Sequence, residues 1–151
     1  MIAMNRLLQT LCAASLFAFG AQAAYAVEET PQSIPGGTMV DAAKVKEVAD
    51  KGGVVVDTRV AAEYADKHIK GAINVPYKET FAKESKLSPD DKFDMAKLPA
   101  DKNANLVFYC NGSPCWKGYK GAAAAIKGGY KHVFWFRDGL PAWINKGLPT
   151  E

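Results

Sequence analysis

Val54-Val55-Val56 and Leu106-Val107-Phe108-Tyr109 are unbroken apolar runs, too short for helices and without the polar alternation of a half-solvated strand. Runs of that kind are strands buried on both faces, and a sheet covered on both faces is a parallel one with helices packed against it. The segments between them suit helices. Asp41 is placed to cap a helix in which Val45, Val48 and Ala49 recur at helical spacing until Gly52-Gly53 stop it. Ala61 to Lys67 is helix-compatible, Tyr119 to Lys127 is rich in alanine and ends at Gly128-Gly129, and Leu140 to Lys146 makes a closing helix. Further strands are expected at Ala72 to Val75 and His132 to Phe136. Strands alternating with helices define an α/β fold with a mainly parallel sheet flanked by helices. Tyr77 to Asn105 is polar and reads as a surface excursion with one or two short helices rather than a second domain.

The N-terminus has a different character. Within residues 1–26, Arg6 is the only charged side chain, and an apolar run from Leu7 to Phe19 leads into Ala21-Gln22-Ala23 and Ala24-Tyr25-Ala26. That order of basic, apolar and small residues is expected to be a secretory signal peptide, since the run is too short to span a bilayer. The mature chain is then periplasmic or secreted, with no stable membrane insertion after cleavage. Residues 27–37, with Pro31, Pro35 and two glycines, read as a flexible leader, and residues 38–151 as the domain. Lysine and arginine number 19 against 16 acidic residues, a net charge of +3 with no basic block, so nucleic acid is not an expected partner. Two histidines and the cysteines beyond the leader show no metal-site spacing.

Cys110 closes an apolar strand and opens the loop Asn111-Gly112-Ser113-Pro114-Cys115-Trp116-Lys117-Gly118. Ligands of open α/β sheets bind outside the carboxyl ends of the strands. Asn-Gly and Ser-Pro form turns, so the loop is expected to curl its backbone N–H groups inward as an anion-binding nest, to which the next helix adds the positive end of its dipole. Those fields lower a cysteine pKa from about 8.5 toward about 3.5 to 7.5. Lys117 and Lys120 act in the same sense if they face the loop. Cys110 is therefore the candidate nucleophile, with Asn111, Gly112, Ser113, Cys115, Trp116, Lys117 and Gly118 as candidate substrate-binding residues. A cysteine after an apolar strand is also commonly a buried small hydrophobe, and that reading stands beside the reactive one.

Val54-Val55-Val56-Asp57-Thr58-Arg59, Glu63-Tyr64, His68-Ile69 and Gly71-Ala72-Ile73-Asn74-Val75-Pro76 together resemble the N-terminal signature of the rhodanese family of sulfurtransferases. Tyr109-Cys110 with its glycine-containing loop resembles that family's active-site loop, and Phe136-Arg137-Asp138-Gly139-Leu140-Pro141-Ala142-Trp143 its C-terminal signature. The resemblance implies a rhodanese-like domain, with a central, mainly parallel five-stranded sheet flanked by helices. It implies that Cys110 accepts a sulfane sulfur from thiosulfate or a similar small sulfur-containing anion as a persulfide. The sulfur then passes to cyanide or a thiol acceptor, with no metal or organic cofactor. In the commoner family pattern an arginine and then a serine or threonine stand five and six residues after the cysteine. Here those positions hold Cys115 and Trp116, and Lys117 is the nearest substitute for the arginine. Phosphate chemistry would need an arginine in the cradle, and none lies between Arg59 and Arg137.

Three roles are open for Cys115: a resolving thiol acting on a Cys110 persulfide, the partner in a protective resting disulfide, or a residue packed beside Trp116. The first two support an alternative function, a periplasmic thiol-disulfide redox or partner-binding module that uses Cys110 and Cys115 and meets a periplasmic protein partner. Asp57, Arg59 and His68 read as structural: an ion pair buttressing the strand end, and a packing or capping histidine.

Overall fold

The computed structural model describes residues 29–151; the expected signal peptide, residues 1–26, lies outside the described residues. Five strands, β1 (Thr38–Met39), β2 (Val54–Asp57), β3 (Ile73–Asn74), β4 (Asn105–Tyr109) and β5 (His132–Phe136), form one sheet in the order β1-β5-β4-β2-β3. Every pairing is parallel. Helices α1 (Ala42–Asp50), α2 (Ala61–Asp66) and α3 (Trp116–Lys127) connect β1 to β2, β2 to β3 and β4 to β5, and α4 (Gly139–Asn145) follows β5.

The period of two along a strand sorts the core into two layers. Val56, Leu106, Phe108, Val133 and Trp135 face α3, where Trp116, Tyr119, Ala122 and Ala125 meet them. Val55, Val107, Tyr109 and Phe136 face α1 and α4 through Val45, Val48, Leu140 and Trp143. Both faces are covered, which is why the apolar runs show no alternation. Asp41 caps α1 as expected, its carboxylate accepting from the Lys44 amide at 2.8 Å.

Three local readings differ from the structure. Helix α3 starts at Trp116 rather than Tyr119, because Gly118 and Gly121 serve close packing there and do not break the helix. A Cβ on Gly118 would stand 3.2 Å from the Tyr109 carbonyl carbon, and one on Gly121 would stand 2.9 Å from Thr58 Cγ2. The fifth strand, β1, is two residues long and has no pattern of its own; pairing with β5 defines it. Residues 29–37 are not free. Thr30 and Ile34 are buried, Ile34 within the α3-side core.

One carboxylate gathers several bonds within the polar excursion. Asp91 accepts from Tyr77 Oη at 2.6 Å and from the Thr80 and Ser88 amides. Burial alone would raise its pKa, but these bonds outweigh that and hold it down at about 2.

Candidate active site

Strand register creates the site. Asn74, Asp57, Tyr109 and Phe136 lie side by side as partners across β3, β2, β4 and β5. The chain therefore leaves the carboxyl edge of the three inner strands at Thr58, Cys110 and Arg137 together. Cys110 is in the middle of that edge, directly before the loop into α3.

Buried polar groups lock the edge. Asp57, fully buried, accepts from the Arg59 amide and guanidinium and, at 2.6 Å, from Tyr109 Oη. Tyr109 Oη in turn accepts from the Ile69 amide at 3.1 Å. Burial, with the Asp57 charge beside it, pushes the Tyr109 phenol far up, so it stays a neutral donor. Burial works against the Arg59 cation, yet its bonds to Asp57 prevail and raise its pKa. Thr58 Oγ1 and amide both donate to the Tyr109 carbonyl, at 2.8 and 3.1 Å. Asp57, through Tyr109 Oη, and Thr58, through the Tyr109 carbonyl, thus fasten β2 to β4 just below the cysteine, while Arg59 balances the buried Asp57 charge. His68 stacks on Tyr64 with ring centroids 3.7 Å apart, its Nδ1 lies 2.8 Å from the Tyr64 carbonyl, and its Nε2 lies 3.4 Å from Glu151.

The loop itself is closed. Cys110 and Cys115 form a disulfide with their Cα atoms 6.1 Å apart, and Cys110 is only 3% exposed. This differs from the open, ionised thiol expected from the loop: no thiolate exists here until the bond is reduced. The turn that brings Cys115 back is made by Gly112, at φ +119°, whose carbonyl accepts the Cys115 amide at 3.0 Å. Asn111 is bracketed, its Oδ1 accepting from Arg59 Nη1 at 3.3 Å and its Nδ2 donating to Glu63 at 2.6 Å. Cys115 is the N-cap of α3, and no side chain caps that helix.

Other candidates are placed differently from their sequence reading. Trp116 is buried edge-on against Tyr119, centroids 5.8 Å apart, and contributes core rather than pocket wall; its Nε1 has no partner among the described residues. Lys120 is fully buried facing the excursion, donating to the Phe81 carbonyl and lying 3.2 Å from Glu79, so its charge is spent away from the loop. Lys117 is half-buried on the first turn of α3. Gly118 supplies the close approach to Tyr109 described above, and a Cβ there would also stand 3.3 Å from the Cys110 amide nitrogen.

Sequence reasoning missed the strap across the loop. Thr30 donates to the Ser113 carbonyl from its amide at 2.9 Å and its Oγ1 at 2.7 Å. Arg137 holds the Thr30 carbonyl at 2.8 Å and Glu29 at 3.1 Å, and Glu29 accepts from Ser113 Oγ. These partners are far apart in sequence and have no local signal. Gly139, which the sequence offers only as part of the C-terminal signature, also bears on the loop. At φ +61° it lies so close to the loop that a Cβ would strike the Cys110 carbonyl oxygen and come 2.7 Å from the Gly112 amide nitrogen. Gly139→Ala is expected to cost roughly 2–3 kcal/mol, from positive φ plus a clash with backbone that cannot swing aside. Denaturant unfolding reads that loss directly, and an unchanged midpoint would contradict it.

Fold and site together define a class: an all-parallel α/β domain presenting a cysteine, paired with a second, at the edge where ligands of such sheets bind. The rhodanese-like domain family model matches residues 41–146, and the chain belongs to that family. Among its relatives, thiosulfate:glutathione sulfurtransferase of Saccharomyces cerevisiae is 29% identical over 102 residues, 65% of this chain and 69% of that protein. The mitochondrial protein HIGH ARSENIC CONTENT 1 of Arabidopsis thaliana is 27% identical over 128 residues, 84% of this chain and 74% of that protein. A crystal structure of a Bacillus halodurans protein superposes with a TM-score of 0.57 at 27% identity, covering 76% of this chain and 77% of that one. The fold is also that of thiosulfate sulfurtransferase from Pseudomonas aeruginosa, with a TM-score of 0.57 at 23% identity over 76% of this chain and 20% of that one.

Proposed function

We propose that this protein is a sulfurtransferase that carries sulfane sulfur on Cys110, taking it from thiosulfate or a similar small anion and passing it to cyanide or a thiol. The observation that carries the reading is the place of Cys110: mid-edge of a parallel sheet, flanked by Thr58 and Arg137, at the turn into α3. A dithiol first supplies two electrons and two protons to open the disulfide. The Cys110 thiolate then attacks the sulfane sulfur of thiosulfate; a new sulfur–sulfur bond forms, the old one breaks, and sulfite leaves with the electron pair. An acceptor thiolate or cyanide takes the outer sulfur and Cys110 departs as thiolate. The helix dipole of α3 favours the anionic sulfur at both stages. Lys117 is the cation nearest in sequence to the cradle, a point charge in place of a guanidinium fork. No metal or organic cofactor enters the scheme.

The disulfide favours a second reading, a thiol-disulfide redox module whose bond state sets its affinity for a periplasmic protein partner. A disulfide also suits the exported location that the N-terminal 26 residues suggest, since such bonds persist in oxidising compartments.

Intact-mass and peptide mapping of protein reduced with a dithiol, freed of it and treated with thiosulfate separate the two. Sulfur transfer predicts one sulfite released per chain, with the sulfane sulfur recovered on Cys110, as thiocyanate when cyanide is present, or as sulfide. A chain that releases no sulfite and never passes sulfur to cyanide leaves the redox reading standing alone.

A further inference from the structure

The Cys110–Cys115 bond is also the product of a reaction. Resting on the reading of Cys110 as sulfur carrier, we infer that Cys115 is a resolving thiol: it expels the carried sulfur as hydrosulfide, making the protein a dithiol-dependent sulfane-sulfur reductase.

Proximity is built in without help from the bond. The Cα atoms stand 6.1 Å apart, inside the range a disulfide spans with no backbone movement. The turn holding Cys115 there is fixed by the Cys115 amide on the Gly112 carbonyl and by both Thr30 donors on the Ser113 carbonyl. Arg137 anchors Thr30 from behind. Reduction breaks none of these bonds, so the freed Cys115 thiol stays beside Cys110. Well-aligned intramolecular attack reaches effective concentrations on the order of 10⁵ M, and a thiol held at this turn gains in that sense.

Chemistry and access agree with proximity. Cys115 is the N-cap of α3, whose first-turn amides no side chain caps, and a helix N-terminus favours a thiolate. Cys110 is 3% exposed whereas Cys115 is partly open to solvent, so a bulky acceptor meets Cys115 before any sulfur on Cys110. Cys115 needs no access route at all.

The atoms balance. The Cys115 thiolate attacks Sγ of the Cys110 persulfide; the Sγ–Sγ bond forms, the bond from Cys110 to the outer sulfur breaks, and that sulfur leaves with the electron pair as hydrosulfide. A dithiol reductant next attacks the more accessible Cys115 and expels Cys110 as thiolate, then closes its own disulfide to free Cys115. Net, thiosulfate and a dithiol give sulfite, hydrosulfide, a proton and the oxidised dithiol.

A single-turnover measurement tests this on reduced full-length protein, freed of reductant and mixed with one equivalent of thiosulfate. Wild type is expected to release one sulfide per chain and end two hydrogens lighter. Cys115→Ser and Cys115→Ala are expected to take up one sulfur, hold it on Cys110 and release no sulfide. Serine is a favoured N-cap, so that variant keeps the helix start. Wild type that accumulates persulfide without sulfide overturns the resolving role and leaves sulfur carriage intact, and so does sulfide released equally by the variants. If neither wild type nor variant takes sulfur from thiosulfate, the carrier reading fails and the resolving role falls with it.

Discussion

Cys110→Ser is expected to end sulfur uptake altogether while leaving a folded domain. A serine hydroxyl is far too weak an acid to be ionised at neutral pH, and the helix dipole and curled loop cannot close that gap. Cys115 is no substitute, because the register of β2, β4 and β5 brings position 110, not 115, to the sheet edge. The structural loss is bounded. The disulfide closes a short loop across a sequence separation of 5, worth about 2 kcal/mol at most in chain entropy, and the Thr30 and Gly112 hydrogen bonds that hold the turn remain. Thiocyanate formation and peptide mapping after thiosulfate treatment read the first effect, and thermal unfolding reads the second. Residual sulfur transfer through Cys115 would refute the assignment of Cys110 as carrier.

Asp57→Ala is expected to produce the largest loss of stability, roughly 3–5 kcal/mol, because it strands the buried Arg59 guanidinium and Tyr109 hydroxyl at once. In a domain of this size that lowers Tm by roughly 10–20 °C. Asp57→Asn, which keeps one acceptor oxygen but loses the charge and the second, is expected to lose less. Calorimetry on the three proteins checks the order. Equal stability of Asp57→Ala and wild type would show that Asp57 does not hold β2 to β4.

Sequence made much of this legible. The α1 cap at Asp41, the two-sided burial of Val54 to Val56 and Leu106 to Tyr109, and β5 at His132–Phe136 follow from local propensity and periodicity. Rhodanese-like family membership was legible from three motif blocks. What periodicity could not reach is what depends on contacts between distant segments. β1 exists only through β5, and the start of α3 depends on how closely Gly118 may approach Tyr109. Lys120 and Trp116 sit near the cysteine in sequence, but helical rotation turns them toward the excursion and the core.

The amino-acid order by itself determined the kind of sheet, the placing of a cysteine at its carboxyl edge and the turn chemistry that follows it, because strand burial, helix periodicity and glycine or proline turns are local properties. Only the tertiary structure decided that Cys110 is joined to Cys115 and that Thr30 and Arg137 clamp the loop over them. The clamp depends on where chain segments 83 to 107 residues apart come to lie once the core has closed.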